Sequence, residues 1–351
     1  MFNPKYKLTN NIVRMLTAIA EAKAVIEHAK ILPKQELKLR RQALVRMTHS
    51  STAIEGNRLG VREVEAILAH KKIDASDRDI FEVRNYLNAL RYIEDIVQKK
   101  QTINENILLK IHKLVTNNTL PKKYSGHYRK GPVYVVRRRF GLSDQIVYTG
   151  PEAKNVPGLC AALVKWIQKS EREDINPVIA AGIAHQEIAA IHPFNDGNGR
   201  TARALATFIL YKRGYDFRHL FALEDYYNQD RQEYYKAINI GNNYKERRGD
   251  FTPWLEYFTK GFKGEIDDVK SKVIVLSLKK VRGDIDSKIY LDGDQIKILD
   301  FLDQAGRITA VAAADVLECP KRSAQLQLHK LKKLGMIKQV GKGPASAYIA
   351  R

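Results

Sequence analysis

Cysteine is nearly absent from this chain of 351 residues, and the two present, Cys160 and Cys319, lie far apart. No disulfide framework and no thiolate metal-ligand spacing can be built from such a pair. Cys160 stands in an apolar helical run and reads as a buried free thiol. Long apolar runs are missing too. None approaches the roughly 18 residues of a membrane span, and the N-terminus, Met1-Phe2-Asn3-Pro4-Lys5, opens no apolar leader. The expectation is a soluble, cytoplasmic protein with no membrane contact. Acid is also scarce: 39 Asp and Glu face 60 Lys and Arg, a formal charge of +21. Such an excess favours anionic partners, whether nucleotide, nucleic acid or acidic protein. There is no internal repeat, no low-complexity tract and no G-x-x-x-x-G-K-[ST] phosphate loop.

What is present is mostly helical. Ile12, Leu16, Ile19, Ala22 and Ile26 form one apolar stripe at spacings of three and four, and Val83, Leu87, Leu90, Ile93 and Val97 form another. The length exceeds one typical core, so more than one domain is expected. The reading divides the chain into an N-terminal helical region (1–110), a central region (111–262), a charged connector (263–289) and a basic C-terminal module (290–351). In the central region, Pro132 to Pro151 breaks the helical habit. Val133–Val136 and Gln145–Tyr148 are β-prone and flank Arg137-Arg138-Arg139-Phe140-Gly141, which predicts a hairpin.

The most informative stretch is Ile191-His192-Pro193-Phe194-Asn195-Asp196-Gly197-Asn198-Gly199-Arg200-Thr201-Ala202-Arg203. An apolar helical run from Val178 to Ile191 feeds it, Pro193 stops that run, and a second run leaves from about Gly199 to Tyr211. Helix, tight loop and helix N-terminus together make an anion site, since backbone N–H groups and the helix dipole favour negative charge there. The glycines allow close approach of the chain to a ligand. Arg200 and Arg203, three apart, can flank a polyphosphate. Asp196 offers a hard oxygen for Mg²⁺, and His192 can accept a hydroxyl proton. Each residue alone reads as an ordinary turn or helix end. A structural turn has no use for the base, the carboxylate and both arginines together.

The string matches H-x-F-x-[DE]-G-N-G-R-x-x-R at every fixed position, and so the chain resembles the Fic family of protein adenylyltransferases. The resemblance implies a mainly α fold, with a Fic-type helical core and a β-hairpin flap. It implies transfer of AMP from ATP to a Tyr, Ser or Thr hydroxyl of a target protein, or of the enzyme itself. His192 would be the general base and Asp196 the Mg²⁺ ligand. Asn195, Gly197, Asn198 and Gly199 would lie around the phosphates, with Arg200 and Arg203 toward the β/γ end. The hairpin, which follows Gly126 to Arg129, would be the flap on which the target docks by strand addition, with Val135 and Val136 beside ATP and target. Tyr234, Tyr235 and Asn242 resemble the adenine and ribose edge, although a tyrosine pair on a helix is more commonly core packing. His185 reads as a hydrogen-bonded core residue, and His127 and His219 belong to no constellation.

Ser51-Thr52-Ala53-Ile54-Glu55-Gly56 matches the family's inhibitory pattern [ST]-x-x-x-E-[GN]. Ser51 and Glu55 share a helix face and Gly56 suits a left-handed residue past the helix end. The resemblance implies that Glu55 pairs with Arg203 and holds back transfer. The same glutamate could serve an enzyme that mainly removes AMP. At the C-terminus, helices at Asp294–Gln304, Thr309–Leu317 and Ser323–Leu334 precede Ile337–Val340, a Gly341-Lys342-Gly343-Pro344 tip and Ala345–Ile349, with Thr309 and Ser323 as N-cap candidates. That layout predicts a winged-helix domain. From Cys319 onward there are eight Lys and Arg and no acid. Two further partners are therefore expectations: DNA at the winged helix, and a second copy of the chain. The competing function is a DNA-binding regulator whose Fic core senses nucleotide.

Overall fold

The computed structural model describes residues 2–139, 142–239, 241–246, 249–281, 291–341 and 346–350, without side chains at 137–144, 278–281 and 303–304. The triple-arginine side chains, the Phe140-Gly141 tip, the 282–290 part of the connector and the 342–345 tip lie outside the described residues.

In chain order the elements are α1 (Asn10–His28), α2 (Pro33–Ile54), α3 (Val61–Leu68), α4 (Asp77–Gln98), α5 (Glu105–Val115), β1 (Tyr134–Arg139), β2 (Leu142–Thr149), α6 (Val156–Arg172), α7 (Pro177–Ile191), α8 (Asn198–Lys212), α9 (Leu223–Gln229), α10 (Arg231–Ile238) and α11 (Thr252–Val281). After them come α12 (Gly293–Ala305), β3 (Ile308–Thr309), α13 (Ala310–Leu317), α14 (Lys321–Lys333), β4 (Ile337–Val340) and β5 (Ala347–Ala350). The mainly α expectation holds. No described helix is long and apolar enough to cross a membrane.

α7 is the central rod. Its sequence is apolar on every side, so nearly all of it is buried. Gly182 admits the α11 side chains: a Cβ there would stand 2.8 Å from Leu255 Cδ2. The Trp254 indole N–H donates to the Gly182 carbonyl at 2.7 Å. Ile12, Ile19 and Ile26 of α1 join Phe258, Phe262 and Ile266 of α11 in the same buried cluster. The positions 110 and 262 lie inside α5 and α11. The N-terminal helices α1, α2 and α4 supply part of the same core as α7 and α8, and α2, α3 and α4 also bury a smaller cluster among themselves.

β1 and β2 form the expected antiparallel hairpin, with Val135 opposite Tyr148, Val136 opposite Ile146 and an irregularity between Val135 and Val136. Tyr148 anchors it: the ring is buried and its hydroxyl donates to Ala190 O at 2.5 Å. Tyr134, Val136 and Ile146 are exposed.

Residues 291–350 have their own apolar cluster, including Ile298, Leu302, Ala324, Leu328, Leu331, Ile337 and Tyr348, with Leu37 of α2 packed against it. Their sheet is antiparallel in the order β3-β5-β4. Thr309 caps α13 as expected, its hydroxyl accepting from Ala312 N at 3.1 Å. Ser323 does not cap α14, which begins two residues earlier after Pro320, since proline's fixed φ suits the position before a helix and its missing N–H is not needed there.

Candidate active site

The loop between α7 and α8 is held rigidly from beneath. His192 ends α7 in the left-handed region (φ 48, ψ 57), its N–H still reaching Ile188 O. Its Nδ1 lies 3.3 Å from Ala189 O. If that nitrogen carries the proton, Nε2 bears the lone pair that a base requires. Phe194 plugs into the core, fully buried, and stacks on His112 with ring centroids 3.6 Å apart and planes 2° from parallel. The Asn198 side chain clamps the Phe194 backbone: Oδ1 accepts from its N–H and Nδ2 donates to its carbonyl, both at 2.9 Å. The Asn198 side chain thus shapes the loop. Gly197 takes φ +77, and a Cβ there would stand 2.7 Å from Thr116 Cγ2.

Two supporting residues escaped the sequence reading of this site. His112 accepts from Gly126 N–H at Nδ1 (2.9 Å) and so donates through Nε2 to Asp196 O (3.0 Å). Burial lowers its pKa to about 4, keeping the ring neutral in this two-sided bridge. Arg129 donates to the carbonyls of His192 (2.8 Å), Gly131 (2.7 Å) and Pro151 (2.6 Å), lacing the loop to both ends of the hairpin. Gly-x-x-Arg was legible as a lead-in to the hairpin, but nothing local marked Arg129 as the lace.

A pH experiment tests the His112 assignment. A histidine near 6.5 when unfolded and about 4 when folded makes the unfolded state bind more protons between those values, so its contribution to stability falls as pH drops through that window. The full effect is on the order of 3 kcal/mol. The carboxyls of half-buried Glu94 and buried Glu224, each pushed up to about 7 chiefly by desolvation, act in the opposite sense as pH rises toward 7. Comparing variants isolates the histidine. His112→Gln should show a shallower loss of Tm between pH 7 and pH 5 than the parent, and parallel curves would remove His112 from the account.

Above the loop the charged groups converge. Arg203 is buried; its Nε donates to Ser51 Oγ (2.9 Å) and its Nη2 to Ser51 O and Glu55 Oε1 (both 2.8 Å). Burial opposes its charge, but Glu55 and neighbouring oxygens more than offset that and hold its pKa above the usual range. Glu55 caps α2, Gly56 follows at φ +95, and the Tyr235 hydroxyl donates to Ile54 O at 3.1 Å. The Glu55 carboxylate lies directly over the first turn of α8: a Cβ on Gly199 would stand 2.2 Å from Glu55 Oε1 and 3.1 Å from Arg203 Nη1.

Arg200 is also buried, facing Glu82 at 3.7 Å and Asp196 at 3.6 Å. Arg200 Nε and Nη1 and Arg203 Nη1 have no hydrogen-bond partner among the described residues. Buried guanidinium donors left in this condition around a glycine-lined helix start fit an anion. Asp196 is about 41% exposed; one oxygen accepts from Gly197 N–H at 2.6 Å and the other lies 3.9 Å from Arg78. No group of three or more His, Cys, Asp and Glu converges as a metal cage among the described residues. Asn195 is exposed at the loop tip.

The nucleotide-edge residues divide. Tyr235 is half exposed beside the end of α2. Tyr234 is buried, stacked on Tyr227 and bonded through its hydroxyl to His185 at 3.0 Å, so it packs in the aromatic core. Asn242 is exposed, and its carbonyl accepts from Thr149 N at the hairpin's end, 2.9 Å away. Val135 packs inward and Val136 outward on the hairpin.

Comparison with known proteins follows the same residues. Residues 102–210 match the model of the Fic/DOC family. Among curated proteins the chain is 28% identical over 243 residues to the protein adenylyltransferase Fic of Nematostella vectensis, covering 67% of this chain and 52% of that one. It is 29% identical to fic-1 of Caenorhabditis elegans over 227 residues, 64% of this chain and 40% of that one. The chain thus spans about half, or less, of the length of these relatives. In fold it is similar to a Fic family protein from Desulfovibrio desulfuricans G20, with a TM-score of 0.64, 24% identity and coverage of 100% of this chain and 98% of the other. A C. elegans Fic-1 fragment is similar with a TM-score of 0.60 and 24% identity, over 75% of this chain and 73% of that one. Residues 102–210 are therefore similar to the Fic/DOC family, and the fold of the chain is similar to that of Fic proteins.

Proposed function

We propose that this chain is a protein adenylyltransferase that moves AMP from ATP to a side-chain hydroxyl of a target protein, and that Glu55 restrains it. The observation that carries the reading is the convergence of Arg203, Gly199 and Glu55 above the His192 loop. ATP is the substrate that an adenylyltransferase requires, and its triphosphate suits the unpartnered guanidinium donors of Arg200 and Arg203 and the amides of Gly197 and Gly199. The target oxygen forms its bond to the α-phosphorus as the bond to the β-phosphate oxygen breaks. His192 takes the hydroxyl proton and pyrophosphate leaves. Positioning and charge neutralisation supply most of the acceleration. Mg²⁺ fits one half-exposed carboxylate together with phosphate oxygens and water, so Asp196 would hold it, where it would neutralise phosphate charge.

The target would add as a strand to the two-stranded hairpin, meeting the exposed Tyr134, Val136 and Ile146. Glu55 lies where a terminal phosphate would otherwise meet Arg203 and Gly199. With it in place, ATP would enter turned away from in-line attack. Residues 291–350, with their helix–strand–helix–helix–strand–strand order, support the reading of a winged-helix domain.

Incubating the chain and a cell lysate with α-labelled ATP, then mapping the label by mass spectrometry, tests the activity. Label should appear on hydroxyl side chains, and none on any protein would end the proposal. Asp196→Ala should lose most of the transfer at ordinary Mg²⁺, and excess metal should restore little. Normal transfer by that variant would mean that another group holds the metal.

A further inference from the structure

We propose that α14 and β4 form a surface that binds duplex DNA, a function separate from AMP transfer. α14 has two unlike faces. Ala324, Leu328 and Leu331 are buried in the module's core. On the other side Arg322, Gln325, Leu326, His329 and Lys333, at spacings of three and four, are all exposed, with Lys321, Lys330 and Lys332 beside them. The helix is 13 residues long, about 20 Å, and enters after a short turn at Glu318–Pro320 in which Glu318 adopts φ 49. The pair α13–α14 is therefore a helix-turn-helix with its second helix uncovered. Lys332 donates to Gln339 Oε1 at 2.8 Å, holding β4, with exposed Lys338, against the same helix.

Charge within the module is segregated. Its six acids, Asp292, Asp294, Asp300, Asp303, Asp315 and Glu318, all precede Cys319, and none follows. The acidic part turns toward the helical core: Glu318 lies 3.7 Å from Lys99, Asp300 acts on Arg91 and Glu94, and Leu37 packs on the module's apolar cluster. The basic part is left outward.

The side chains of the stripe select among polyanions. Arg and Gln make paired hydrogen bonds to guanine and adenine edges in the major groove of B-form DNA, which admits a helix. The deep, narrow major groove of duplex RNA does not. A membrane-binding helix needs a continuous apolar face, and Leu326 is the stripe's one apolar member.

The test uses the full chain and a labelled random duplex of about 25 base pairs in fluorescence anisotropy at 50 and 200 mM salt. Six phosphate contacts predict affinity falling by about 10³-fold over that range. The exposed double variant Arg322→Glu/Lys333→Glu should bind at least tenfold more weakly while keeping its melting temperature and AMP transfer. After selection from a randomised duplex pool, Gln325→Ala should alter the preferred sequence and leave the salt slope unchanged. Three results would overturn the proposal: no duplex binding at 50 mM salt, equal affinity for duplex RNA or anionic phosphatidylserine vesicles, or undiminished binding by the double variant.

Discussion

Replacing Glu55 by glycine should raise AMP transfer about 10- to 100-fold over the parent chain, measured as label incorporated from α-labelled ATP into the same target or into the enzyme itself. The size follows from the contact removed. A hydrogen bond between ionised groups contributes about 1.5–3 kcal/mol, and each 1.4 kcal/mol is a factor of about ten. The parent spends that energy holding Arg203 on Glu55 at 2.8 Å. Without the carboxylate, Arg203 keeps its two Ser51 contacts, so the guanidinium stays in place while the Nη2 N–H that met Glu55 becomes available to phosphate. The negative charge over Gly199 disappears as well. The backbone tolerates the change, because Glu55 sits at φ −87 in the helix cap, where glycine carries no penalty beyond its chain entropy. Arg203→Ala should not reproduce the gain, since it removes restraint and phosphate contact together. If AMP removal is also catalysed, Glu55→Gly should lose it while gaining transfer, because the carboxylate that would orient the attacking water is gone. Equal transfer rates for Glu55→Gly and the parent on one target would sink the inhibitory assignment.

Helices and hairpin were legible because their signals are local. Apolar spacing of three and four marks α1 and α4, and Val133–Val136 with Gln145–Tyr148 marks the paired strands. Long-range packing was not legible, for the opposite reason. Which apolar stripes share a core depends on pairings such as α1 with α11, more than two hundred residues apart, and periodicity carries no address for the partner. β3 was missed because two residues give no alternation to detect. The site divides in the same way. The thirteen-residue string is contiguous, so its geometry could be read from helix, glycine and proline rules. His112 and Arg129 come from elsewhere in the chain, and their roles appear only when Asp196 O and His192 O are found on them. The structural use of the Asn198 side chain, clamping the Phe194 backbone, carried no signal in the string itself. Tyr234 went to the core because its ring completes a stack with Tyr227 and its hydroxyl meets a buried histidine there.

Removing the His192 imidazole should lower AMP transfer by about 10²–10⁴-fold, the usual cost of losing one general base, while ATP affinity stays within about twofold. The split follows from where the ring lies. His192 ends α7, and its imidazole belongs to the loop side, whereas the donors suited to phosphate are on α8, at Arg200, Arg203 and the first-turn amides. Alanine alone is an imperfect probe. The residue sits at φ 48, ψ 57, a left-handed conformation that costs an ordinary L-residue roughly 1–2 kcal/mol. Loss of activity in His192→Ala could therefore reflect a shifted loop. Asparagine tolerates that conformation and offers no base near neutral pH, so His192→Asn separates the two effects. Both variants should be inactive, and His192→Asn should keep the parent's melting temperature and ATP affinity. The Glu55→Gly background makes the measurement sharper by raising the rate from which loss is counted. Transfer by Glu55→Gly/His192→Asn within a few-fold of Glu55→Gly would remove His192 from the base role.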